Sequence, residues 1–333
     1  FKISNIGLFD IWGGPVAFLA GAEWRKEKFK DDRDPRLDGT IQFVDWQGDT
    51  FPFVSDVVNS SPTLDSSGSR KVTSLYTEFI FPLHATFDLQ AAVRYEHFSD
   101  VGNTTVPKIA FGWRPTDWFM LRGSWSEAFR APNLVTINEE IVARSNTNKD
   151  WVCQYVTDVT GDPDDALDSN CEYSWQRRAF GSKDLKPEKS DNTSLGVVLT
   201  PISNLMVTVD FWKIKKKDTI GLFGQDNMSL QDLLIRVENG VQNCDSFEGL
   251  DTLQRQEVDE DAIPAFLEAG LCPAGEAEFG NDKYANLDTR EVKGWDLRVY
   301  YDLMTDIGDW TFTWQGSVYT NYDQTPGDLA STI

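Results

Sequence analysis

A period of two is clearest in residues 87–96, FDLQAAVRYE, and this stretch decides the fold. One set of alternate positions is apolar, and most of the other set is polar or charged. The apolar set is Phe87, Leu89, Ala91, Val93 and Tyr95, and the polar set is Asp88, Gln90, Arg94 and Glu96. Successive side chains of a strand point to opposite faces, so the pattern predicts a β-strand with one apolar face.

The same alternation recurs in eight further segments, at residues 16–24, 75–81, 109–113, 119–125, 193–199, 205–211, 295–301 and 310–318. We therefore predict nine strands, and a tenth that ends near Leu8. The connections alternate between short ones (10–15, 82–85, 115–117, 201–204, 303–309) and long ones (30–70, 99–105, 130–188, 218–286). All long connections then fall at one end of the sheet, which is typical of an antiparallel up-and-down meander. No helix-length pattern separates the strands at the turn end, so βαβ units are unsupported.

The composition excludes several classes of protein. The chain has 53 Asp and Glu against 31 Lys and Arg, a net charge of −22, and shows no basic stripe. Such a chain repels phosphate backbones, so we expect no nucleic-acid partner. No apolar run approaches the roughly 18 residues that a spanning helix needs. A transmembrane β-barrel remains open, because its apolar signal lies on alternate positions.

Two soluble folds, a β-propeller and a large β-sandwich, compete with a membrane barrel. A propeller would show a blade repeat, which is missing, and a sandwich would carry mostly charged residues on its outer face. Aromatic residues concentrate near both strand ends, which fits two membrane interfaces, although aromatics also favour strands in general. Those towards the long loops are Trp24, Tyr95, Phe98, Trp125, Trp212 and Tyr322, and those towards the turns are Phe81, Trp113, Trp118 and Trp310.

Several segments carry a family resemblance. They are RYEHFSD (94–100), TVPKI (105–109), WRP (113–115), LRGSWSEAFRAPNL (121–134), GAEWR (21–25), LKPEKS (185–190), and NL (286–287) with VKGWDL (292–297). Together, and in this order, they resemble the barrel of TonB-dependent outer-membrane receptors. The resemblance implies a plugged barrel of about 22 strands that binds a scarce nutrient and imports it with energy delivered through TonB.

The expected fold is therefore all-β. Residues 1–333 would form part of an antiparallel up-and-down transmembrane β-barrel, about nine to ten strands of the larger plugged barrel, in the outer membrane of a Gram-negative cell. Long extracellular loops would lie at about 30–70, 130–188 and 218–286. The sequence shows no plug domain, no TonB-contacting segment and no leader, so we expect a piece of a longer precursor that carries recognition surfaces without transport. The implied partners are outer-membrane lipid, a small-molecule ligand, and the TonB complex acting through the missing plug region.

Four cysteines fall into two separated pairs, each in polar, Gly- and Asp-rich sequence. There is no CxxC, and the only histidines, His84 and His97, are distant from the cysteines, so a structural zinc site is disfavoured. We predict two loop disulfides formed in an oxidising compartment, Cys153 with Cys171 and Cys244 with Cys272.

The third long segment is strongly acidic and has helix signals. Residues 218–290 carry 16 acidic and 4 basic residues. A calcium interpretation attaches to residues 158–165 and 259–261, but neither has the EF-hand spacing, so solvated surface is favoured. A capping box at Ser229, with Asp232, predicts a helix that presents Leu230, Leu233, Leu234 and Val237 and ends at Gly240. A second short helix is predicted over about 261–268, stopped by Gly270.

Five residues are candidates for ligand contact. Arg130 stands at the loop end of a strand, and it either contacts ligand or anchors neighbouring loop groups. The aromatic residues near the first cysteine pair, Trp151, Tyr155, Tyr173 and Trp175, could stack on sugar rings or on an aromatic chelator. They could equally form the small core of a disulfide-closed loop.

Enzyme motifs are nearly absent, and we predict no catalytic residue, cofactor or metal. The favoured function is TonB-dependent uptake of a nutrient that is a ferric siderophore, a haem, a vitamin or an oligosaccharide. A passive porin-like channel and a secreted β-rich glycan-binding protein are the alternatives.

Overall fold

A computed structural model of the chain describes residues 1–57, 60, 63–161 and 171–325. Its strands are β1 (Lys2–Asn5), β2 (Asp10–Ile11), β3 (Gly14–Pro15), β4 (Ala17–Asp31), β5 (Gln42–Val44), β6 (Thr50–Ser55), β7 (Ser66–His84), β8 (Phe87–Phe98), β9 (Gly102–Thr116), β10 (Phe119–Arg130), β11 (Val142–Lys149), β12 (Glu172–Phe180), β13 (Glu188–Ile202), β14 (Leu205–Gly221), β15 (Leu253–Arg255), β16 (Ala277–Lys283), β17 (Ala285–Thr305) and β18 (Gly308–Thr325). Its α-helices are α1 (Leu134–Asn138), α2 (Trp151–Thr160), α3 (Gln225–Asn239) and α4 (Ile263–Glu268), with 3₁₀ turns at Cys244–Ser246 and Glu260–Ala262.

Ten strands form one antiparallel sheet in the order β1-β4-β7-β8-β9-β10-β13-β14-β17-β18. All nine predicted strands are present in this sheet, in chain order, so the up-and-down meander is confirmed. The tenth strand is β1, which ends at Asn5, three residues before the predicted end. The strands extend beyond the alternating segments from which they are predicted, and the longest, β17, has 21 residues.

The register places apolar residues of neighbouring strands opposite one another. One unbroken row crosses eight strands: Phe81, Leu89, Phe111, Gly123, Leu195, Phe211, Trp295 and Val318. At Gly123 a Cβ would lie 2.5 Å from a ring atom of Phe111, so the missing side chain makes room for that ring. We call this side of the sheet the apolar face. It is where Phe87, Leu89, Ala91, Val93 and Tyr95 lie, as predicted.

The opposite side, the polar face, carries hydrogen-bonded polar side chains. Ser74 Oγ donates to Glu96 Oε1 at 3.0 Å, and both residues are buried. Lower on the same face, Arg122 makes two bonds to Asp210, Nε to Oδ1 at 3.0 Å and Nη2 to Oδ2 at 2.6 Å. A one-residue slip of register would exchange the two faces, which is why alternation predicts the register well.

The connections between strands agree with the prediction except at residues 99–105. The sequence predicts a long connection there, but β9 begins at Gly102, so only three residues join β8 to β9. Three long connections remain, at 32–65, 131–187 and 222–284. A small hairpin of β5 and β6 lies in the first. No helix in the described part of the chain is long and apolar enough to cross a membrane.

Candidate functional site

The second and third long connections fold together into one body, which we call the loop layer (residues 131–187 and 222–284). Its centre is a second sheet in the order β11-β12-β16-β15. Strand β12 belongs to the first segment and β16 to the second, and they pair in parallel from Gln176 opposite Phe279 to Phe180 opposite Lys283. Parallel pairing needs backbone from two distant segments, so it joins both segments directly.

The loop layer begins by folding over the polar face of the sheet. Arg70 of β7 donates from Nη1 to the carbonyl oxygen of Pro132 at 2.6 Å, just before α1. Asn133 caps α1, since its side chain accepts from the Thr136 amide at 2.6 Å. A Cβ at Gly68 would lie 2.5 Å from Asn138 Nδ2, so α1 rests directly on this face. The loop layer is therefore placed above the polar face.

Both predicted disulfides are confirmed, Cys153 with Cys171 and Cys244 with Cys272. The first ties α2 to the start of β12. The N-cap of α2 is Asp150, whose carboxylate accepts from the Val152 amide at 3.0 Å, and the helix ends at Gly161 with φ 74°. The Asp150 amide donates in turn to the Cys171 carbonyl at 2.7 Å, which holds both ends of the loop together. The acidic residues 162–165, part of the calcium interpretation, lie outside the described residues.

The four aromatic candidates belong to two apolar cores. Trp151 and Tyr155 pack against a cluster of Val152, Val156, Leu233, Ala262, Phe266 and Leu271. Trp175 is only 2% exposed and packs with Met228, Leu250, Leu253 and Ala277, against which Tyr173 also lies. These contacts form a small loop core, which is one of the two roles that the sequence leaves open for the four aromatic residues. Trp175 has almost no surface to offer a ligand, whereas Trp151 is half-buried.

A buried ionic network links these cores. Arg255 bonds to Asp150 through Nη1 at 2.7 Å and Nη2 at 3.0 Å, and its Nε bonds to Asp232 at 2.8 Å. Asp232 also accepts from Arg236 Nε at 2.9 Å and from the Leu250 amide at 2.8 Å. Tyr173 donates its hydroxyl to Asp150 at 2.5 Å. Three distant stretches of chain meet at these charges.

The network changes the acidity of its members. Burial disfavours the charged form of Asp150, but the adjacent Arg255 outweighs it and lowers the pKa to about 2. Burial together with the Asp150 charge raises the pKa of Tyr173. Arg255 is nearly completely buried, and although burial lowers its pKa, Asp150 and Asp232 raise it overall. Asp150 and Arg255 therefore stay ionised and act as fixed charges.

The sequence interpretation missed these residues, although signals for them exist. Asp150 stands directly before α2, which begins with Trp151, and this is the position of an N-cap. Arg255 is the only basic residue between Glu238 and Glu276, a stretch with ten acidic residues. A lone cation in such a stretch indicates a specific partner.

Helix α3 begins one turn before the predicted capping box. Its N-cap is Gly224, and Asp282 of β16 accepts from the Phe223 and Gly224 amides at 2.9 and 3.0 Å. Ser229 therefore does not cap the helix. Its hydroxyl accepts from the Trp151 amide at 2.8 Å and donates to Asp150 at 3.1 Å. The predicted apolar stripe is also only partly buried.

Leu233 of that stripe is buried, but Leu234 and Val237 are exposed. The predicted end of α3 at Gly240 is confirmed, with φ 62°. The second predicted helix is α4, preceded by the 3₁₀ turn and followed by Gly270 at φ 77°.

Arg130 lies at the base of the loop layer and is paired within the protein. Its Nη2 donates to Glu188 Oε1 at 2.7 Å. Glu188 is buried, and the same oxygen accepts from the Ile220 amide at 2.8 Å. Nearby, Asn286 Oδ1 accepts from the Lys186 amide at 2.9 Å, and Asn286 Nδ2 donates to the Asp218 carbonyl oxygen at 2.8 Å. Three of the resemblance motifs thus meet here, and Arg130 anchors strand ends while 65% of its side chain stays exposed.

Two concavities that the described residues form in and around the loop layer could receive a small molecule. A cleft of about 440 Å³ lies beside the buried network, lined by Asp150, Tyr173, Arg255, Glu257, Asp259 and Glu276 among others. A wider groove of about 850 Å³ lies where all three long connections meet, lined by Asp65, Ile137, Glu139, Phe180, Lys183 and Lys283 among others. Burial raises the pKa of Glu139 in this groove. Among the described residues no group of three or more His, Cys, Asp or Glu could hold a metal ion.

The charge of the chain is concentrated in its long connections. Residues 32–65, 131–187 and 222–284 hold 31 acidic and 11 basic residues, a net charge of −20 out of −22. The strands and short turns are therefore almost neutral, and the end of the sheet with the long connections is strongly acidic.

The arrangement matches known proteins. Residues 3–332 match the family model described as TonB dependent receptor-like, beta-barrel. The probable TonB-dependent siderophore receptor PirA of Acinetobacter baumannii is 25% identical over 183 residues, 55% of this chain and 20% of that protein. The crystal structure of the siderophore receptor PirA from the same species aligns with a TM-score of 0.53 at 17% identity, over 94% of this chain and 35% of that one.

A variant of the ferric enterobactin receptor PfeA from Pseudomonas aeruginosa, in complex with enterobactin, aligns with a TM-score of 0.54 at 16% identity, over 95% of this chain and 35% of that one. This chain thus spans about a third of the length of these solved structures. At such identities the structures show the fold, and the family model extends over nearly the whole chain. The chain belongs to the TonB-dependent receptor-like β-barrel family, whose members lie in the outer membrane of Gram-negative bacteria.

Proposed function

We propose that this chain forms the ligand-recognition part of an outer-membrane receptor that imports a ferric siderophore with energy delivered through TonB. The observation that carries the proposal is the placement of the loop layer, a prefolded body that rests on the polar face of the sheet through Arg70, Pro132 and α1. In a closed barrel the polar face lines the lumen. A ligand held by the loop layer would then stand at the entrance of the import path.

The long connections would be extracellular, and the short turns periplasmic. Only the long connections are large enough to enclose a cargo, and they contain both concavities. The relative from Acinetobacter baumannii, a probable siderophore receptor, supports an iron complex as cargo over an oligosaccharide. The family assignment also argues against a passive porin-like channel and a secreted glycan-binding protein.

Among the candidate residues, we propose Trp151, Tyr155 and Arg130 as those that could reach a ligand. Trp151 donates its indole N–H to Asp226 at 2.8 Å and carries Lys149 over its ring at 5.5 Å, so its orientation is set before any ligand arrives. Tyr173 and Trp175 would act indirectly, by holding the core beneath them.

Growth and binding test the proposal. A strain lacking the complete receptor is supplied with it in wild-type form, with Trp151→Ala, or with Ser203→Ala in the short turn between β13 and β14. Growth on ferric siderophores as the sole iron source, and on oligosaccharides as the sole carbon source, identifies the cargo. We expect Trp151→Ala to weaken ferric-siderophore binding at least tenfold and Ser203→Ala to leave it unchanged.

Heat-modifiable mobility on gels shows whether each variant assembles its barrel, and Trp151→Phe keeps most of the packing while removing the bond to Asp226. Normal import by assembled Trp151→Ala together with failure of Ser203→Ala would place recognition at the opposite end. Receptor-dependent growth on an oligosaccharide alone would overturn the iron cargo.

A further inference from the structure

Lysines extend the apolar face beyond its last aromatic residue. In β4 the residue Trp24 lies on this face and is 65% exposed. Lys26, Lys28 and Lys30 follow at every second position, so they share that face, and all three are exposed. At about 3.3 Å per residue, Lys26 and Lys28 lie roughly 7 and 13 Å beyond Trp24 along the strand. The apolar band therefore ends in a positively charged margin on the side of the long connections.

The register also brings like charges together on this margin. Lys26 of β4 stands directly opposite Lys71 of β7. Two further lysine pairs stand opposite each other near the same end of the sheet, Lys189 with Lys217 and Lys213 with Lys293. Like charges directly opposite on neighbouring strands are destabilising, so each pair calls for an anion.

Within the protein only some of these lysines receive one. Glu291 pairs with both Lys213, at 3.0 Å, and Lys293, and Asp191 pairs with Lys217 at 3.1 Å. Lys30 pairs with Asp32. In the described part of the chain no carboxylate lies within 4.0 Å of Lys26, Lys28 or Lys71. The repulsion between Lys26 and Lys71 is thus left without an internal counter-charge.

The position of these lysines identifies the missing anion. Aromatic residues such as Trp24 mark the boundary of the hydrocarbon layer, so charges just beyond them lie among lipid headgroups. The strand-joining turn regions at the other end, residues 82–88, 114–119, 200–206 and 302–310, hold no lysine and a single arginine, Arg114. The basic margin therefore faces a single leaflet, and in a chain of charge −22 it is a local exception.

We propose that Lys26, Lys28 and Lys71 bind phosphate groups of a phosphorylated glycolipid in the outer leaflet of the membrane. Lysine is a point-charge phosphate ligand on a flexible stem, and Ser69, opposite Lys28 on the same face, adds a hydroxyl donor. A membrane lipid is the occupant, and not free phosphate, because the margin continues the lipid-facing surface without a break. The inference rests on the proposed orientation of the long connections towards the outside.

Native mass spectrometry of the complete receptor in detergent tests the proposal, with diphosphoryl lipid A, the same lipid without phosphates, and inorganic phosphate as probes. Each basic side chain near a lipid surface strengthens binding to the lipid, and the contributions of three side chains multiply. The triple variant K26Q/K28Q/K71Q should therefore bind diphosphoryl lipid A about a hundredfold more weakly. The matched control K2Q/R114Q/K186Q removes the same charge from exposed basic residues away from this margin and should bind it normally.

Equal loss in both variants would show a general charge effect and overturn the site. Binding that does not depend on the lipid phosphates, or that inorganic phosphate reproduces, would overturn the lipid headgroup as occupant. Ferric-siderophore binding is measured in parallel and should be the same in both variants. If no ferric complex binds to any form, the proposed function fails while the lipid result is still decided by its own measurement.

Discussion

Asp150 and Arg255 are 105 positions apart in the chain, yet they form a two-bond ion pair that is almost completely buried in the loop layer. Asp150 caps α2, and Arg255 ends β15, so the pair connects the first disulfide-closed segment to the second. Buried ion pairs contribute little net stability against an apolar replacement, but removing one partner leaves an uncompensated charge. The pair therefore makes each segment depend on the other.

Replacing Arg255 should unfold the loop layer and leave the barrel sheet intact. Arg255→Ala leaves the carboxylate of Asp150 buried without a cation and that of Asp232 with Arg236 alone, at a cost of about 3–5 kcal/mol. We expect hydrogen exchange of the α2 and α3 amides to accelerate about a hundredfold or more, with unchanged heat-modifiable mobility. Arg144→Ala, at an exposed position of β11, is the control and should alter neither measurement. Unchanged protection in Arg255→Ala would contradict the coupling of the two segments.

The loop layer should lose stability at low pH because of Asp150. Its pKa is about 2 in the folded protein, below the usual 3.8, so its charge contributes stability that is fully present above pH 4. That contribution is lost as the pH falls from about 4 to 2. Tryptophan fluorescence and hydrogen exchange of α2 across this range measure the loss. In Asp150→Asn the same transition should be flatter, and an equally steep transition in that variant would assign the acid sensitivity to other carboxylates.

The two disulfides should stabilise the loop layer by similar amounts. They join cysteines 18 and 28 positions apart, for which the chain-entropy model gives about 3 and about 3.5 kcal/mol. We expect C153S/C171S and C244S/C272S each to weaken protection of their own segment, as measured by limited proteolysis, while the barrel still assembles. Wild-type proteolysis rates in both variants would show that the ionic network and parallel pairing suffice.

Adjacent alanines in β8 allow a matched test of the two faces. Ala91 lies on the apolar face and Ala92 on the polar face, and the side chains are otherwise identical. An arginine towards the lipid near the membrane centre costs about 2–4 kcal/mol, whereas the polar face tolerates charge. Ala91→Arg should therefore lower the free energy of unfolding in lipid vesicles by about this amount, and Ala92→Arg by much less. The reverse order would mean that the faces are exchanged.

The sheet was predictable from sequence because its determinants are local. Alternation in residues 87–96 sets the faces of β8, and since the side-chain period is two, the faces then restrict the register with β7 and β9. Family motifs such as LRGSWSEAFRAPNL added the identity of the barrel. Cysteine spacing and turn residues were similarly sufficient for both disulfides and for the helix stops at Gly240 and Gly270.

The loop layer was predictable only in part, because distant residues decide it. The capping box at Ser229 is a valid local signal, but Asp282, more than fifty residues later, holds the Phe223 and Gly224 amides just before α3, which begins at Gln225. The same holds for Trp175, whose burial depends on Met228 and Leu250.

The sequence by itself therefore determined the strands, their faces, the disulfide pairs and the family. Tertiary structure alone decided that the two long connections form a single body, through parallel pairing of β12 with β16 and through the Asp150–Arg255 pair. It also decided which lysines have no counter-charge among the described residues, because Lys26 and Lys71 lie far apart in the chain and become opposed only in the register of β4 with β7. Local patterns report on one strand at a time, whereas pairing and burial depend on which distant segments meet.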